Sequence, residues 1–254
     1  MINERKHQPV TAALFENRYD AGRQLSKKLT DYKNGPSIVL AIPNGGVPIA
    51  VPIALELAAP LDLVIARKLP IPLLPEGGFG AVADDGNAIF NQDVLNKFPL
   101  TEHQINFQIH KVRNDIRQRS LLYRSTRPLP SVAGKTAIIV DDGLASGYTM
   151  MAAVESVQRR DPRNIVVAVP VASATAVEGV EKLDVRIITV HTASVTKFYV
   201  SDYYQYWGVL TDEQGVKCFK DWQARRSQNH TDTGEVPNMG TSISSRTGYL
   251  RLPR

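Results

Sequence analysis

The sequence has 254 residues, and its 30 basic and 25 acidic side chains give a formal net charge of +5. Apolar residues make up 43% and charged residues 22%, a balance that is typical of globular proteins and excludes a fibrous or wholly disordered chain. The single cysteine, Cys218, excludes an internal disulfide and a cysteine-based zinc site. The first residues lack the apolar run of a secretory signal, and no stretch is apolar enough to span a membrane, so we expect a cytoplasmic protein.

Five segments rich in Val and Ile predict β-strands, and helical patterns lie between several of them. The strands are expected at residues 37–43, 61–68, 136–142, 164–170 and 185–191, and helices at residues 47–58, 149–160 and 175–182. The apolar runs do not alternate with polar residues, which is typical of strands that are covered on both faces. Strands and helices that follow one another in this way predict an α/β fold with a parallel sheet.

Two segments interrupt this alternation. Residues 69–90 contain several prolines and glycines and only short apolar pieces, which predicts a long loop of the kind that forms a lid or a binding loop. Residues 101–124 predict one long polar helix. The final residues, 227–254, are rich in Ser, Thr, Gly and Asn, and we expect a disordered tail there after a single domain at residues 1–226.

The basic residues cluster once, along the predicted long helix and just after it. The cluster consists of Lys111, Arg113, Arg117, Arg119, Arg124 and Arg127. A run of like charges on a helix is most often its solvated face, and that is the interpretation we favour. The alternative is a nucleic-acid-binding surface, but no recognisable DNA- or RNA-binding motif accompanies the cluster.

The segment at residues 137–149, AIIVDDGLASGYT, places two carboxylates directly after a buried strand. Ligands of open α/β sheets bind beyond the carboxyl ends of the strands, where Asp141 and Asp142 are expected. The small residues that follow, and the start of the next helix, can direct backbone N–H groups at one phosphate. The segment lacks the Gly-Lys-Ser/Thr of a Walker A loop, so a monophosphate is expected. Carboxylates repel phosphate but accept hydrogen bonds from sugar hydroxyls, so the pattern predicts a site for a ribose 5-phosphate.

Residues 137–149 resemble the 13-residue motif with which type I phosphoribosyltransferases bind phosphoribosyl diphosphate (PRPP). The family pattern has four apolar residues, two acids and Gly-x-x-Thr-Gly-x-Thr, and Ser146 stands in place of a threonine. From about residue 8 to residue 222 the chain is similar to a group of uncharacterised bacterial and archaeal members, through IPNGG at 42–46, ARK at 66–68 and LTDEQ at 210–214. The resemblance implies a Rossmann-like parallel sheet flanked by helices, with a long flexible loop and a small hood region.

The resemblance also implies the residues of a PRPP site. The catalytic residues would be Asp141, Asp142 and Lys68. The PRPP-binding residues would be Asn44, Gly45, Gly46, Arg67, Lys68, Asp141, Asp142, Gly143, Leu144, Ala145, Ser146, Gly147, Tyr148 and Thr149. Asn44 departs from the family pattern, which has an arginine in this diphosphate loop. Arg67 and Lys68 either supply the missing charge or only solubilise the end of a strand.

The implied reaction is the Mg²⁺-dependent transfer of a phosphoribosyl group from PRPP to a nitrogenous base or related acceptor, with release of diphosphate, as in nucleotide metabolism. No side-chain metal site is expected, because Mg²⁺ would be held mainly by substrate oxygens and water. Residues 69–90 would close over PRPP and exclude water. Ala145 stands where enzymes for 6-oxopurines carry an aspartate, which disfavours hypoxanthine and guanine.

Three questions stay open at this point. The aromatic residues within 198–207 either stack on the acceptor base or, as we favour, pack the last helix on the sheet. A non-catalytic protein that senses PRPP or a nucleotide is the alternative to an enzyme, and the uncharged Asn44 favours it. The partners expected are PRPP and a small acceptor, with no membrane or nucleic acid, and a homodimer is left open.

Overall fold

The computed structural model describes residues 13–72, 74–125 and 127–231. Its main sheet has five parallel strands in the order β2-β1-β6-β7-β8. Their bounds are β1 Ser37–Ala41, β2 Leu61–Leu63, β6 Thr136–Val140, β7 Asn164–Ser173 and β8 Arg186–Ala193. The α/β class and the parallel sheet that the sequence predicts are therefore confirmed.

Helices cover both faces of this sheet. They are α1 Arg18–Ser26, α2 Gly46–Leu57, α3 Gln92–Lys97, α4 Glu102–Arg124, α5 Tyr148–Gln158, α6 Ala174–Glu181 and α7 Asp212–Thr231. Along β1, Val39 packs in a core with α2 and α7, whereas its neighbour Leu40 packs in a second core with α5 and α6. Because both faces are buried, the strands need apolar residues at every position, which explains their unbroken apolar runs.

The register of the sheet sets the place of the site. Ala41 at the end of β1 lies opposite Val140 at the end of β6. The loops that follow these two strands therefore leave the sheet side by side, at the edge where ligands of such sheets bind. Residues 42–45 lie in one loop, and Asp141 and Asp142 begin the other.

The predicted loop at residues 69–90 is wrong, as is the single strand predicted at 61–68. After β2 the chain leaves the parallel sheet and forms a three-stranded antiparallel sheet of β3 Ala66–Ile71, β4 Leu74–Ala83 and β5 Ala88–Phe90. Three of the four glycines that suggested a loop, Gly77, Gly78 and Gly80, are positions of close packing; a Cβ on Gly80 would collide with the Ile89 carbonyl of the paired strand. The fourth, Gly86, lies in the turn between β4 and β5. Phe79 is fully buried and stacks on Phe90. The second sheet thus has an apolar core contact of its own.

The long helix is confirmed, and four residues of the basic cluster are exposed as predicted, namely Lys111, Arg113, Arg117 and Arg127. The prediction of a solvated face is wrong for Arg119 and Arg124. Thr101 and Gln104 close a capping box at the start of α4. At the other end Arg124 is 2% exposed, and its Nε lies 3.0 Å from Asp62 Oδ1. A second cation, Arg119, pairs with Asp212 of α7 at 2.7 Å. Two residues of the cluster, Arg119 and Arg124, therefore form ion pairs with carboxylates that are distant in the sequence.

The end of the chain extends the fold further than the sequence predicts. Helix α7 continues to Thr231, five residues into the expected tail at 227–254. The rest of that tail, residues 232–254, lies outside the described residues. Within the described parts of the chain, every helix is too short or too polar to cross a membrane.

Candidate active site

A cavity of about 430 Å³ lies at the carboxyl edge of the main sheet, between the loop after β1, strand β3 and helix α4. Four cations line it, namely Arg67, Lys68, Lys111 and Arg119. Two carboxylates, Asp115 and Asp141, also line it, together with Thr149 at the start of α5. Cations outnumber carboxylates, so the cavity suits an anionic ligand.

A second cavity of similar size, about 440 Å³, lies at the opposite edge of the sheet, near the starts of β7 and β8. Arg163 and Arg186 line it together with Asp161 and Asp184, so its charges balance. It lies far from the acidic pair, because that pair follows the other end of β6. The candidate active site is therefore the cavity beside Asp141.

The structure directs the two predicted acids to different partners. Asp141 faces the cavity, and no cation lies within salt-bridge distance of it among the described residues. Asp142 instead pairs with Arg18 of α1, with Nε 2.9 Å from Oδ2. The backbone N–H of Asp142 donates to Asp141 Oδ1 at 2.8 Å, and the Tyr204 hydroxyl donates to the Asp142 carbonyl at 2.7 Å. Of the two acids, Asp141 is thus the one whose carboxylate is available to a ligand in the cavity.

Burial raises the pKa of both Asp141 and Asp142, but the neighbouring charge acts in opposite directions on the two carboxyls. For Asp141, the charge of Asp142 adds to burial and holds the pKa well above its ordinary range. For Asp142, the Arg18 guanidinium offsets part of the effect of burial on the pKa. An ionised Asp141 therefore gains from any ligand that donates hydrogen bonds to it, as a sugar hydroxyl does.

The loop at 143–149 is hydrogen-bonded to β7 at two residues, Leu144 and Ala145. Leu144 donates its N–H to Val171 and accepts from the N–H of Ser173, both at 2.9 Å. The Ser173 hydroxyl donates to the Ala145 carbonyl at 2.7 Å. The N–H groups of residues 145–149 find no acceptor among the residues that the structure describes. Such N–H groups can bind an anion, and we call these five the anion cradle. The N–H of Leu144 lies outside the cradle, although the resemblance implies that Leu144 binds PRPP.

Gly147 is the glycine whose backbone requires its residue type. Its φ of +83° lies in the left-handed region, immediately before α5 begins at Tyr148. A Cβ there would also lie 3.4 Å from the Ala176 carbonyl. The anion cradle therefore runs through the left-handed turn at Gly147 into the N-terminus of α5, whose positive dipole end favours an anion.

The two glycines that follow Asn44 are required by close packing against the acidic segment. Gly45 has an ordinary helical backbone with φ of −61°, and Gly46 opens α2. A Cβ on Gly45 would occupy the place of the Asp142 carboxylate, and one on Gly46 would lie 2.5 Å from the Val140 carbonyl. Gly45 and Gly46 are needed because this segment packs directly on the end of β6, and not because either has a positive φ.

Asn44 turns its side chain away from the cavity, towards α4 and α7. Its Nδ2 donates to the Leu210 carbonyl at 3.0 Å and to Asp212 Oδ1 at 2.8 Å. Its Oδ1 accepts from the Tyr123 hydroxyl at 3.0 Å. The peptide bond that precedes it, from Pro43, is cis. Asn44 is thus a polar joint between two helices in this structure.

Arg67 and Lys68 lie on β3 and line the cavity, so the structure brings both beside the acidic pair. Arg67 Nη1 lies 3.8 Å from Asp115 Oδ2 of α4. Sequence reasoning missed the roles of Arg18, Lys111 and Arg119 at this site. Lys111 and Arg119 belong to the charge cluster that the sequence analysis identified. The neighbouring sequence does not, however, distinguish a basic residue that lines a cavity from one that is exposed to solvent.

The aromatic stretch packs on the N-terminal helix, which neither interpretation of the sequence anticipated. Tyr204 is buried against Phe15, and the Trp207 ring lies 3.7 Å from the Arg18 guanidinium carbon. The last helix instead packs through Phe219, whose ring meets Tyr123 of α4 edge-on. The aromatic residues therefore build a cover over the Arg18–Asp142 pair.

Comparisons with known proteins agree with this site. A family model, the phosphoribosyl transferase domain, matches residues 84–207, which include the acidic pair and the anion cradle. Two curated proteins of Mycobacterium tuberculosis strains, "Putative phosphoribosyl transferase Rv0571c" and its MT0597 counterpart, are each 37% identical over 158 residues. The match covers 62% of this chain and 36% of each relative, so the chain spans about a third of their length.

A solved structure, TT1426 from Thermus thermophilus, is 33% identical to this chain and superposes with a TM-score of 0.66. The alignment covers 82% of this chain and 98% of that one, so nearly the whole of TT1426 has a counterpart here. The matched domain includes the 137–149 motif and three of the five parallel strands of the main sheet. The chain belongs to the phosphoribosyl transferase family.

Proposed function

We propose that this protein transfers the phosphoribosyl group of PRPP to a nitrogenous acceptor and releases diphosphate. One observation carries the proposal: the Asp141 carboxylate and four cations line one cavity at the edge of the sheet, and Thr149, the last residue of the anion cradle, lines it too. PRPP carries a 5-phosphate, two ribose hydroxyls and a diphosphate on one molecule. Each part of the ligand thus meets a group of matching chemistry.

The 5-phosphate would bind the N–H groups of residues 145–149, with the hydroxyls of Ser146 and Thr149 as further donors. The ribose hydroxyls would donate to Asp141, which has no salt bridge to compete with them among the described residues. The diphosphate would lie in the cavity that Arg67 and Lys68 border. Asp142 would act mainly by holding Arg18 and the packed loop of Gly45 in place.

The chemistry asks the protein to stabilise positive charge at the sugar carbon while diphosphate leaves. The Asp141 carboxylate lies beside the proposed ribose and would favour the developing positive charge. Strand β3 borders the cavity and would help to exclude water that would otherwise intercept the cation. The cations that line the cavity would stabilise the negative charge of the departing diphosphate.

Mg²⁺ is the cofactor that the family implies. Asp141 presents carboxylate oxygens to the cavity, and such oxygens are the ligands that Mg²⁺ prefers, so the residues present fit an ion that takes its other ligands from substrate oxygens and water. When bound, the ion would neutralise charge on the diphosphate. The acceptor is proposed to be a base other than a 6-oxopurine, since Ala145 offers no carboxylate to it.

The test is a panel of nitrogenous bases incubated with the protein, PRPP and Mg²⁺, with diphosphate release as the readout. Release that depends on one base and falls at least tenfold in Asp141→Asn supports transfer. PRPP binding by calorimetry without release for any base would favour the sensing alternative. The observation that favoured that alternative was the uncharged Asn44, whose side chain does not face the cavity.

A further inference from the structure

Position 44 does not direct its side chain into the cavity. Three hydrogen bonds, to Tyr123, Leu210 and Asp212, hold the Asn44 amide between α4 and α7. Close packing reinforces them, since a Cβ on Gly215 of α7 would lie 3.3 Å from Asn44 Oδ1. A cation for the diphosphate must therefore come from another element.

Helix α4 brings a guanidinium to the same place. The Arg119 side chain lines the cavity and is 13% exposed, with Nη1 3.5 Å from the carbonyl of Pro43 in the diphosphate loop. Its Nη2 pairs with Asp212 Oδ1 at 2.7 Å, and its Nε has no partner among the described residues. A guanidinium has five N–H donors, so Arg119 has donors beyond these two contacts with which to bind a ligand.

A second guanidinium, that of Arg67, lines the same cavity. Burial lowers the pKa of Arg67, and the charge of Arg119 lowers it further, while Asp115 and Asp212 oppose these effects. Two like charges held near each other cost free energy unless an anion lies between them. A diphosphate, with several negative charges and bidentate oxygens, would relieve that repulsion.

The segment LTDEQ at 210–214 explains how Arg119 is held. Thr211 and Gln214 exchange hydrogen bonds that cap the start of α7. The cap places Asp212 in the first helical position, where it binds both Arg119 and Asn44. The loop after β1, helix α4 and helix α7 thus meet at one carboxylate.

We propose that Arg119 is the diphosphate-binding cation of this protein, and that Asp212 positions it. The inference rests on the proposed function, because it assumes that the cavity receives the diphosphate of PRPP. It assigns to helix α4 the charge that the family pattern places at position 44. It also gives the uncharged Asn44 a reason, since Asn44 shares Asp212 with Arg119 and contributes the polar joint rather than a charge.

The test measures two ligands separately by calorimetry, inorganic diphosphate with Mg²⁺ and ribose 5-phosphate. Arg119→Gln should weaken diphosphate binding roughly 10- to 100-fold, as expected for the loss of a charged hydrogen bond, and leave ribose 5-phosphate within about 3-fold. Arg119→Lys should recover part of the loss. Arg113→Gln is the matched control on the same helix, since Arg113 binds the Gly86 carbonyl and does not line the cavity.

The outcomes separate the inference from the function on which it rests. If wild type binds both ligands and Arg119→Gln binds diphosphate as tightly, the assignment of Arg119 is overturned and the proposed function stands. If wild type binds neither ligand, both fall. Should Arg119→Gln unfold because Asp212 loses its partner, the double variant Arg119→Gln/Asp212→Asn removes the acid as well. It should show the same loss, and normal diphosphate binding by it would overturn the assignment.

Discussion

Arg18 and Asp142 are 124 residues apart in the chain, yet Arg18 Nε donates to Asp142 Oδ2 at 2.9 Å. A second nitrogen of the same guanidinium donates to the Gly208 carbonyl at 2.9 Å, and Trp207 covers its face. One arginine therefore ties α1 and the segment after β8 to the acidic pair. The mostly buried Arg18–Asp142 ion pair therefore connects the aromatic cover to the loop after β6.

Removal of Arg18 should destabilise the fold strongly. Arg18→Gln leaves the Asp142 carboxyl buried without its cation, which costs about 3–5 kcal/mol for pairs of this kind. The measurement is the free energy of unfolding by urea at neutral pH. Lys33→Gln is the control, since the Lys33–Glu56 pair is nearly half exposed and should change stability by about 1 kcal/mol or less. Equal small changes in both variants would show that the Arg18 pair is not buried as described.

Asp141 should impose a cost on stability. Burial and the charge of Asp142 raise its pKa, so its ionised form destabilises the folded state at neutral pH. Asp141→Asn should therefore raise the free energy of unfolding at pH 7, by roughly 0.5–2 kcal/mol, and weaken ribose 5-phosphate binding about 10- to 100-fold. A substitution that stabilises the protein while it weakens the ligand marks a site residue rather than a packing residue.

The pH dependence of that stability gain has a definite sign. The raised pKa means that wild type takes up a proton on Asp141 as pH falls, which relieves the cost. The advantage of Asp141→Asn should be greatest at high pH, shrink as pH falls through the raised pKa, and vanish below the ordinary pKa of an aspartate. Asp31→Asn, at an exposed carboxyl, should stay within about 0.5 kcal/mol of wild type. A gain that grows on acidification contradicts the direction assigned to Asp141.

A comparison of variants at two glycines with positive φ, Gly134 and Gly147, should distinguish backbone strain from loss of ligand binding. Gly147 has φ of +83° at the anion cradle, and Gly134 has φ of +69° in open space before β6. Alanine at either position should lower the free energy of unfolding by about 1–2 kcal/mol, because L-residues disfavour that backbone. Only Gly147→Ala should also weaken ribose 5-phosphate, as measured by calorimetry. Equal ligand affinity in the two variants would remove residues 145–149 from the phosphate site.

The sequence predicted what depends on local pattern. The strand that ends at Val140, the acids after it and the small-residue loop stand within 13 residues, and their order alone predicts that the acids lie at the carboxyl edge of the sheet. The capping box at Thr101 is equally local, and α4 begins where the sequence places it. Each of these features needs no partner from elsewhere in the chain.

The failures share one cause, which is a partner distant in sequence. Arg124 was expected to be exposed with the rest of its cluster. It is buried instead, where it pairs with Asp62, which lies 62 residues earlier in the chain. Residues 69–90 read as a loop because glycine permits turns, yet Gly80 is required by the backbone of a strand that pairs with it later. Asn44 read as a defect in the diphosphate loop because Asp212 and Tyr123 lie far along the chain.

Asn44→Arg therefore has an outcome opposite to the one that the family pattern suggests. From sequence alone, the restored arginine should tighten diphosphate. In the structure, the longer side chain enters a packed joint lined by Tyr123 and Gly215, and its charge competes with Arg119 for Asp212. We expect the free energy of unfolding to fall by about 1–3 kcal/mol, as for other overpacked sites, with diphosphate affinity unchanged or weaker.

The matched control adds the same charge elsewhere on the neighbouring helix. Asn114→Arg places an arginine on an exposed position of α4, where it should alter stability by no more than about 0.5 kcal/mol. Urea unfolding and calorimetry with Mg²⁺ and diphosphate compare the two variants with wild type. If Asn44→Arg is as stable as wild type and binds diphosphate more tightly, the side chain at position 44 reaches the cavity after all. Arg119 would then lose its assigned place, because the loop itself could supply the cation.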